Sequence, residues 1–249
     1  MTYLRSTISR VVTPQVISRA KIFLLRNALL TKIFRLRYFS LNEIDKQLES
    51  YLDYDNGFFV ECGANDGVNQ SNTLFFEHFR GWHGILIEPY LPNFKALTRN
   101  RSPKNYFKHA ACVGPGYKNQ KVELIYSNLM TSTLNIKSDI SNPLEHANRG
   151  SKYWGGQAFV FEAPAFSLNE ILIEADAPCF IDLLSLDVEG VELEILKSID
   201  HSRFKFKCIC VESRNPYLLK EYLLGKSYLY VKPLSYHDHQ FQYSSESLT

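Results

Sequence analysis

The stretch Phe58-Phe59-Val60-Glu61-Cys62-Gly63-Ala64-Asn65-Asp66-Gly67 decides how the rest of the chain is read. Its first five residues form a short apolar run suited to a buried strand, and the glycines then break that strand into a tight turn. Downstream, a helix is predicted through Leu74, Phe75 and Phe79, ending near Gly81. Gly84-Ile85-Leu86-Ile87-Glu88-Pro89 reads as a second buried strand with a hard stop. A helix through Phe94 and Leu97 leads to a third strand near Tyr106 to Val113. Later, Phe180 to Leu186 runs into Asp187-Val188-Glu189-Gly190 and a helix from Val191 to Ile199. Cys208 to Val211 is a further buried strand ending in Glu212. A helix near Tyr217 to Leu224 and strands near Tyr228 to Val231 and Gln240 to Tyr243 complete the series. Strands alternating with helices predict an α/β fold with a mostly parallel sheet covered on both faces.

Other segments carry weaker signals. Ser40-Leu41-Asn42-Glu43 has the pattern of a capping box, followed by a helical stripe of Leu41, Ile44, Leu48 and Leu52. Ser167-Leu168-Asn169-Glu170 repeats that pattern. Lys121 to Tyr126 alternates like an exposed strand, and residues 128–157 read as a long functional loop.

The 249 residues are 45% hydrophobic and 22% charged, which excludes a largely disordered chain. No apolar run reaches membrane-span length; Ile22 to Leu30 is interrupted by Arg26 and Asn27. Five cysteines without Cys-x-x-Cys spacing argue against a disulfide framework or zinc site and for a reducing, cytoplasmic location. Residues 1–42 hold eight basic residues and no acid, whereas the rest holds 20 basic and 26 acidic residues. The expected division is a basic amphipathic segment, 1–40, and a body, 41–249. The segment reads either as a helix lying on an anionic membrane surface, with Phe23, Leu24, Leu30 and Phe34 at the interface, or as a helix packed on the body or a partner. Nucleic acid is not expected, because the basic stretch is short and the body acidic.

The glycine turn occupies the usual nucleotide position of such sheets. Glu61-x-Gly63-x-x-x-Gly67 is neither Gly-x-Gly-x-x-Gly nor a phosphate loop. Asp66 would repel a pyrophosphate and attract a cationic centre. Glu88 follows Gly63 by 25 residues, near the spacing at which an acid accepts both ribose hydroxyls. Adenosine with a cationic tail, S-adenosylmethionine, fits both observations. The competing reading is that the glycines only permit a tight turn and Glu88 is an exposed strand-end acid.

Four ordered motifs carry a resemblance. They are Phe59-Val60-Glu61-Cys62-Gly63-Ala64-Asn65-Asp66-Gly67, Ser71-Asn72-Thr73, Gly81-Trp82-His83-Gly84-Ile85-Leu86-Ile87-Glu88-Pro89, and Leu186-Asp187-Val188-Glu189-Gly190-Val191-Glu192 with Leu196-Lys197. Over residues 57–245 the chain resembles the FkbM family of methyltransferases. The resemblance implies a Rossmann-like class I fold: a seven-stranded, mostly parallel sheet with the last strand antiparallel and helices on both faces. It also implies S-adenosylmethionine-dependent methyl transfer to a hydroxyl oxygen, often of a sugar in a polysaccharide. Glu61, Gly63, Asn65 and Gly67 match the cofactor turn, and Glu88 matches the ribose acid before Pro89. Ser71 and Asn72 would hold the methionine carboxylate, and His109-Ala110 would contact adenine. Asp187, Glu189 and Gly190 match the second signature.

A sugar hydroxyl needs in-line placement and removal of its proton as the new bond forms. Asp187 is the first candidate for base or orienter, with Glu189 and Glu212 behind it. Each acid also has a plainer role, such as favouring the next helix's N-terminus, the one expected of Glu192. A divalent metal on Asp187 and Glu212 is conceivable. His237-Asp238-His239 reads as a solvated strand end, and Cys208 and Cys210 as core. Trp154 reads either as a sugar platform or as a loop anchor. Two other classes stay open: a dinucleotide-dependent oxidoreductase, and a non-catalytic membrane-associated subunit of a glycan-assembly complex.

Overall fold

The computed structural model describes residues 14–25, 37–136, 138–154 and 157–245. Its main sheet has seven strands: β1 (Phe58–Cys62), β2 (His83–Glu88), β3 (Tyr106–His109), β8 (Phe180–Leu186), β9 (Lys205–Glu212), β10 (Tyr228–Pro233) and β11 (Asp238–Tyr243). They lie in the order β10-β11-β9-β8-β1-β2-β3. The pairs from β9 through β3 are parallel, and β11 runs antiparallel to both its neighbours. This is the sheet the resemblance implies. The order reverses between β1 and β8, which places a crevice at their carboxyl ends.

Alternation along the strands feeds two cores. On one face Val60, Cys62, Ile85, Ile87, Leu184 and Leu186 pack with α6 (Leu168–Glu174), α7 (Glu192–Lys197) and α8 (Pro216–Leu224). On the other, Phe59, Leu86, Leu183, Cys208 and Cys210 pack with α2 (Ile44–Glu49), α3 (Leu74–Arg80) and α4 (Leu91–Asn100). The helix α1 (Pro14–Leu25) joins this second core through Ile22 and Leu25, while Phe23 points outward at 66% exposure. The described part of the basic segment therefore rests on the body. Leu30 and Phe34 lie outside the described residues. Among the described residues no helix is long and apolar enough to cross a membrane.

Two expectations about the middle of the chain change. The third strand is two strands. It leaves the main sheet after His109, and β4 (Ala111–Val113) pairs instead with β7 (Phe159–Ser167). With β5 (Lys121–Tyr126) and β6 (Ser132–Thr133) these form a second, four-stranded sheet around Ala111, Val113, Val122, Leu124 and Ala163. Residues 128–157 are not one long loop: they hold a 3-10 turn at Asn128–Met130, β6, and the helix α5 (Pro143–Trp154). Ser127 Oγ ties that helix down by donating to the Ala147 carbonyl at 2.7 Å.

The two capping-box patterns part ways. At Ser167 both reciprocal hydrogen bonds form and α6 begins. At Ser40 they do not, because Asn42 and Glu43 adopt positive φ of 55° and 54°. Buried Asp45 takes over instead, accepting from the Phe39 and Ser40 amides at 2.6 and 3.3 Å. Leu41 consequently leaves the stripe and is exposed. His239 is buried rather than solvated, packed beside Tyr230.

Candidate active site

Three strand ends converge at the switch point. The Gly63 and Ala64 amides donate to the Ile87 carbonyl at 3.1 and 3.0 Å, and the Asp187 amide donates to the Cys62 carbonyl at 3.2 Å. Gly63 sits at φ 83°, and a Cβ there would lie 1.9 Å from the Asp187 carbonyl oxygen. Only glycine lets the two strand ends approach this closely. The result is a crevice at the carboxyl edge of the sheet, open to solvent. Gly63, Asn65, Glu88, Pro89, Ala110, Asp187 and Glu189 line it, all of them candidates from the sequence. Leu124 of β5, Thr133 of β6 and Asn128, Leu129 and Thr131 of the turn between those strands also line it, and none of them was foreseen in the sequence.

Glu88 lies at the end of β2 and is 6% exposed. It accepts from the Asn65 amide at 2.9 Å and the Tyr90 amide at 2.8 Å. Burial raises its carboxyl to about 7, aided by the nearby Asp66 charge and opposed by those two amides. Asn65 reaches its position through a left-handed φ of 49°.

The other turn candidates face inward. Glu61 is buried and saturated: it accepts from Ser71 Oγ, from the Asn72 amide at 3.0 Å and from Thr73 Oγ1 at 2.7 Å. Arg101, fully buried, pairs with it at 3.2 Å and with Glu77 at 2.9 Å. Asn72 spends its side-chain amide on Ser185 Oγ. Ser71 and Asn72 therefore hold the turn together and do not line the crevice. Asp66 folds back to accept from the Val68 and Asn69 amides at 3.0 and 2.9 Å. Gly67, at φ 79°, makes room for Arg101 and Leu97. His109 turns its Nε2 to the Pro89 carbonyl at 2.9 Å and packs on Phe94, leaving Ala110 at the crevice.

The second signature builds an acidic floor. Asp187, Glu189 and Glu212 each bring one oxygen into a group within 4.8 Å. Asp187 is exposed and lines the crevice. Lost hydration and the charges of Glu212, Glu189 and Asp238 hold its carboxyl well above the usual range. Burial and the neighbouring acids raise Glu212 as well, against the pull of Arg214. Glu189, at φ 55°, is gripped by Arg214 at 2.6 Å and lies 3.1 Å from His146 Nε2. Glu192 does more than favour the helix terminus. Its buried carboxylate accepts from the Val188 and Gly190 amides at 3.2 and 3.0 Å, which pins the loop; burial pushes it up to about 8.

Arg214 and His146 were missed in the sequence. Arg214 lies two residues beyond Glu212, a position with no motif. His146 lies in the segment read as a loop, so its helical placement was invisible. The side chain of Trp154 lies outside what the structure describes.

Among solved structures, an FkbM methyltransferase from Methylobacillus flagellatus KT is similar at 16% identity and a TM-score of 0.44, covering 76% of this chain and 44% of that one. The chain thus spans less than half the length of that protein. A precorrin-6y C5,15-methyltransferase from Geobacter metallireducens GS-15 is similar at 10% identity and a TM-score of 0.43, covering 80% and 87% of the two chains. No curated protein matches. The family description "Methyltransferase FkbM domain" matches residues 61–241, from the acid that anchors the glycine turn to the antiparallel strand β11. With most of its length inside that match, the chain belongs to the FkbM family of methyltransferases.

Proposed function

We propose that the protein transfers the methyl group of S-adenosylmethionine to a hydroxyl oxygen of a sugar, within a glycan, a polysaccharide or a lipid-linked precursor. The observation that carries this reading is one crevice shared by Gly63, Glu88 and Asp187 on one side and neutral polar side chains on the other. Membership of a methyltransferase family implies S-adenosylmethionine as donor. Its ribose hydroxyls would donate to Glu88, and its sulfonium would face the acidic floor. Asn128, Thr131 and Thr133 offer neutral hydrogen-bonding groups suited to sugar hydroxyls. Thr133 Oγ1 is buried without a protein partner, so a ligand hydroxyl would satisfy it.

Asp187 then stands where the acceptor hydroxyl arrives. As the acceptor oxygen bonds to the methyl carbon, the carbon–sulfur bond breaks with its electron pair left on sulfur. The hydroxyl proton passes to the Asp187 carboxylate. Positioning and proton removal are the two contributions this chain makes. Neither the dinucleotide reading nor the non-catalytic one gains support from the site or the family.

The test is methyl-labelled S-adenosylmethionine incubated with nucleotide sugars, lipid-linked glycans and finished polysaccharide. Hydrolysed products are then resolved by mass spectrometry. An O-methyl monosaccharide is expected; label on nitrogen or carbon, or a failure to label any sugar, would refute the reading.

Glu88 adds a pH dependence. Ribose hydroxyls bind its ionised form, and the folded empty protein holds the proton up to about 7 instead of the ordinary 4.5. Affinity for S-adenosylhomocysteine should therefore rise as pH climbs through about 7 and level off above it. The same shift means the empty fold draws stability from protonated Glu88 that is lost as pH rises through that value. Calorimetric titrations across the range check this, and Glu88→Gln should remove the dependence.

A further inference from the structure

One face of the second sheet borders the crevice, and strand register decides what stands on it. Leu124, which lines the crevice, lies directly opposite Thr133 on β6 and Phe161 on β7. Two residues further along β5, Tyr126 lies opposite Phe159. Directly opposed residues of an antiparallel pair share a face, and so do residues two apart on one strand. Thr133, Leu124, Phe161, Tyr126 and Phe159 therefore stand together, while Lys121, Glu123 and Glu162 belong to the opposite face.

Burial falls along this face. Thr133 and Leu124 are buried, Phe161 and Tyr126 are half-buried, and Phe159 is 42% exposed. The rings form one connected group. Tyr126 and Phe159 stack with centroids 5.0 Å apart and planes 28° apart. Tyr90, whose amide holds Glu88, closes on them at 4.2 Å from Tyr126 and 5.8 Å from Phe159. Asn93, a crevice residue, meets the Tyr126 hydroxyl with its side chain. The rings themselves lie outside the crevice lining, on its rim.

A second observation comes from the other end of the face. Thr133 lines the crevice, is 4% exposed, and its Oγ1 has no partner among the described residues. A buried hydroxyl left unpaired is costly and calls for a ligand group. Asn93, Asn128 and Thr131 beside it are also neutral. An exposed aromatic face next to neutral polar groups suits a ligand that is apolar on one side and rich in hydroxyls. A sugar ring has that character: its C–H bonds meet the negative face of the aromatic ring.

Position and length narrow the ligand further. The donor belongs inside the crevice, at Gly63 and Glu88, so a ligand touching the rim is the acceptor. Thr133 and the β7 rings are separated by β5, two strand spacings or ~10 Å. A ligand that reaches both is longer than one sugar ring.

We propose that Phe159 and Tyr126 form a stacking subsite for the second sugar of an oligosaccharide acceptor, while Thr133 Oγ1 bonds a hydroxyl of the sugar inside the crevice. The subsite rests on the sugar reading above and adds to it a preference for two or more linked sugars over a free monosaccharide.

The test measures binding of the full chain, with S-adenosylhomocysteine present, to immobilised glycans of one to six sugars. Oligosaccharides should bind and the matching monosaccharides should bind at least about tenfold more weakly. Phe159→Leu keeps an apolar side chain without the ring and should weaken oligosaccharide binding about tenfold, whereas Phe159→Tyr should bind as the wild type does. Glu162→Gln, on the opposite face and paired with Lys121, should change nothing. Far-UV circular dichroism checks that each variant is folded. Calorimetry should give Phe159→Leu the wild-type affinity for S-adenosylhomocysteine. Absence of oligosaccharide binding would overturn the proposal, as would oligosaccharide binding indifferent to Phe159→Leu. A loss of S-adenosylhomocysteine affinity in Phe159→Leu would also overturn it, by assigning the rings to the donor. Failure of the subsite leaves an O-methyl monosaccharide in the labelling assay intact; failure of the sugar reading shows there as the absence of label from every sugar.

Discussion

Asp187→Asn is expected to lower turnover by about 10²-fold or more while leaving S-adenosylhomocysteine affinity nearly unchanged. The substitution keeps the shape of the side chain and removes its capacity to take a proton. Its backbone contributions survive: the amide still donates to Cys62, and the carbonyl still abuts Gly63. The donor is expected to bind mainly through Gly63 and Glu88 rather than through the Asp187 side chain. The effect should therefore fall on kcat rather than on donor binding. Steady-state rates with a sugar acceptor, paired with calorimetry, separate the two; near-normal turnover would remove Asp187 from the chemistry.

Arg101→Ala is expected to destabilise the fold by about 3–5 kcal/mol. The guanidinium is fully buried, bridging Glu61 at 3.2 Å and Glu77 at 2.9 Å and donating to Thr73 Oγ1 at 2.9 Å. Truncation leaves two carboxylates out of water without their shared cation, which costs far more than the pair gains over an apolar replacement. Arg101→Lys should recover only part of the loss, since a single ammonium cannot reproduce the fork. Urea unfolding measures this through a shift in midpoint at constant slope. A loss below about 1 kcal/mol would mean the turn does not depend on the Arg101 network.

What the sequence revealed follows from how local each signal is. The strand from Phe58 to Cys62 and the turn at Gly63 were legible because burial and backbone conformation are written in adjacent residues. Glu88 and Asp187 were legible because each ends a parallel strand, and parallel strand ends meet at one edge. Glu61, Ser71 and Asn72 were assigned to the ligand because their motif is continuous with the turn. Glu61 and Ser71 are instead held by Arg101, 40 residues from Glu61, and Asn72 by Ser185, and nothing local announces either pairing. Asp66 was read as a charge presented to a ligand, although an aspartate in a tight turn also bonds the amides just after it. The second sheet stayed hidden because β4 continues β3 in sequence and separates from it only in space. His146 and Arg214 owe their positions to that folding of distant segments, not to any spacing along the chain.

The claim that the crevice between Gly63 and Glu88 is the methyl-donor site is tested most directly by calorimetric titration of S-adenosylhomocysteine into the full chain at pH 8. One site per chain is predicted, weakened by about 1.5–3 kcal/mol in a folded Glu88→Ala variant, with NAD giving no comparable heat. Absence of binding, or an affinity that Glu88→Ala leaves unchanged, would contradict the account.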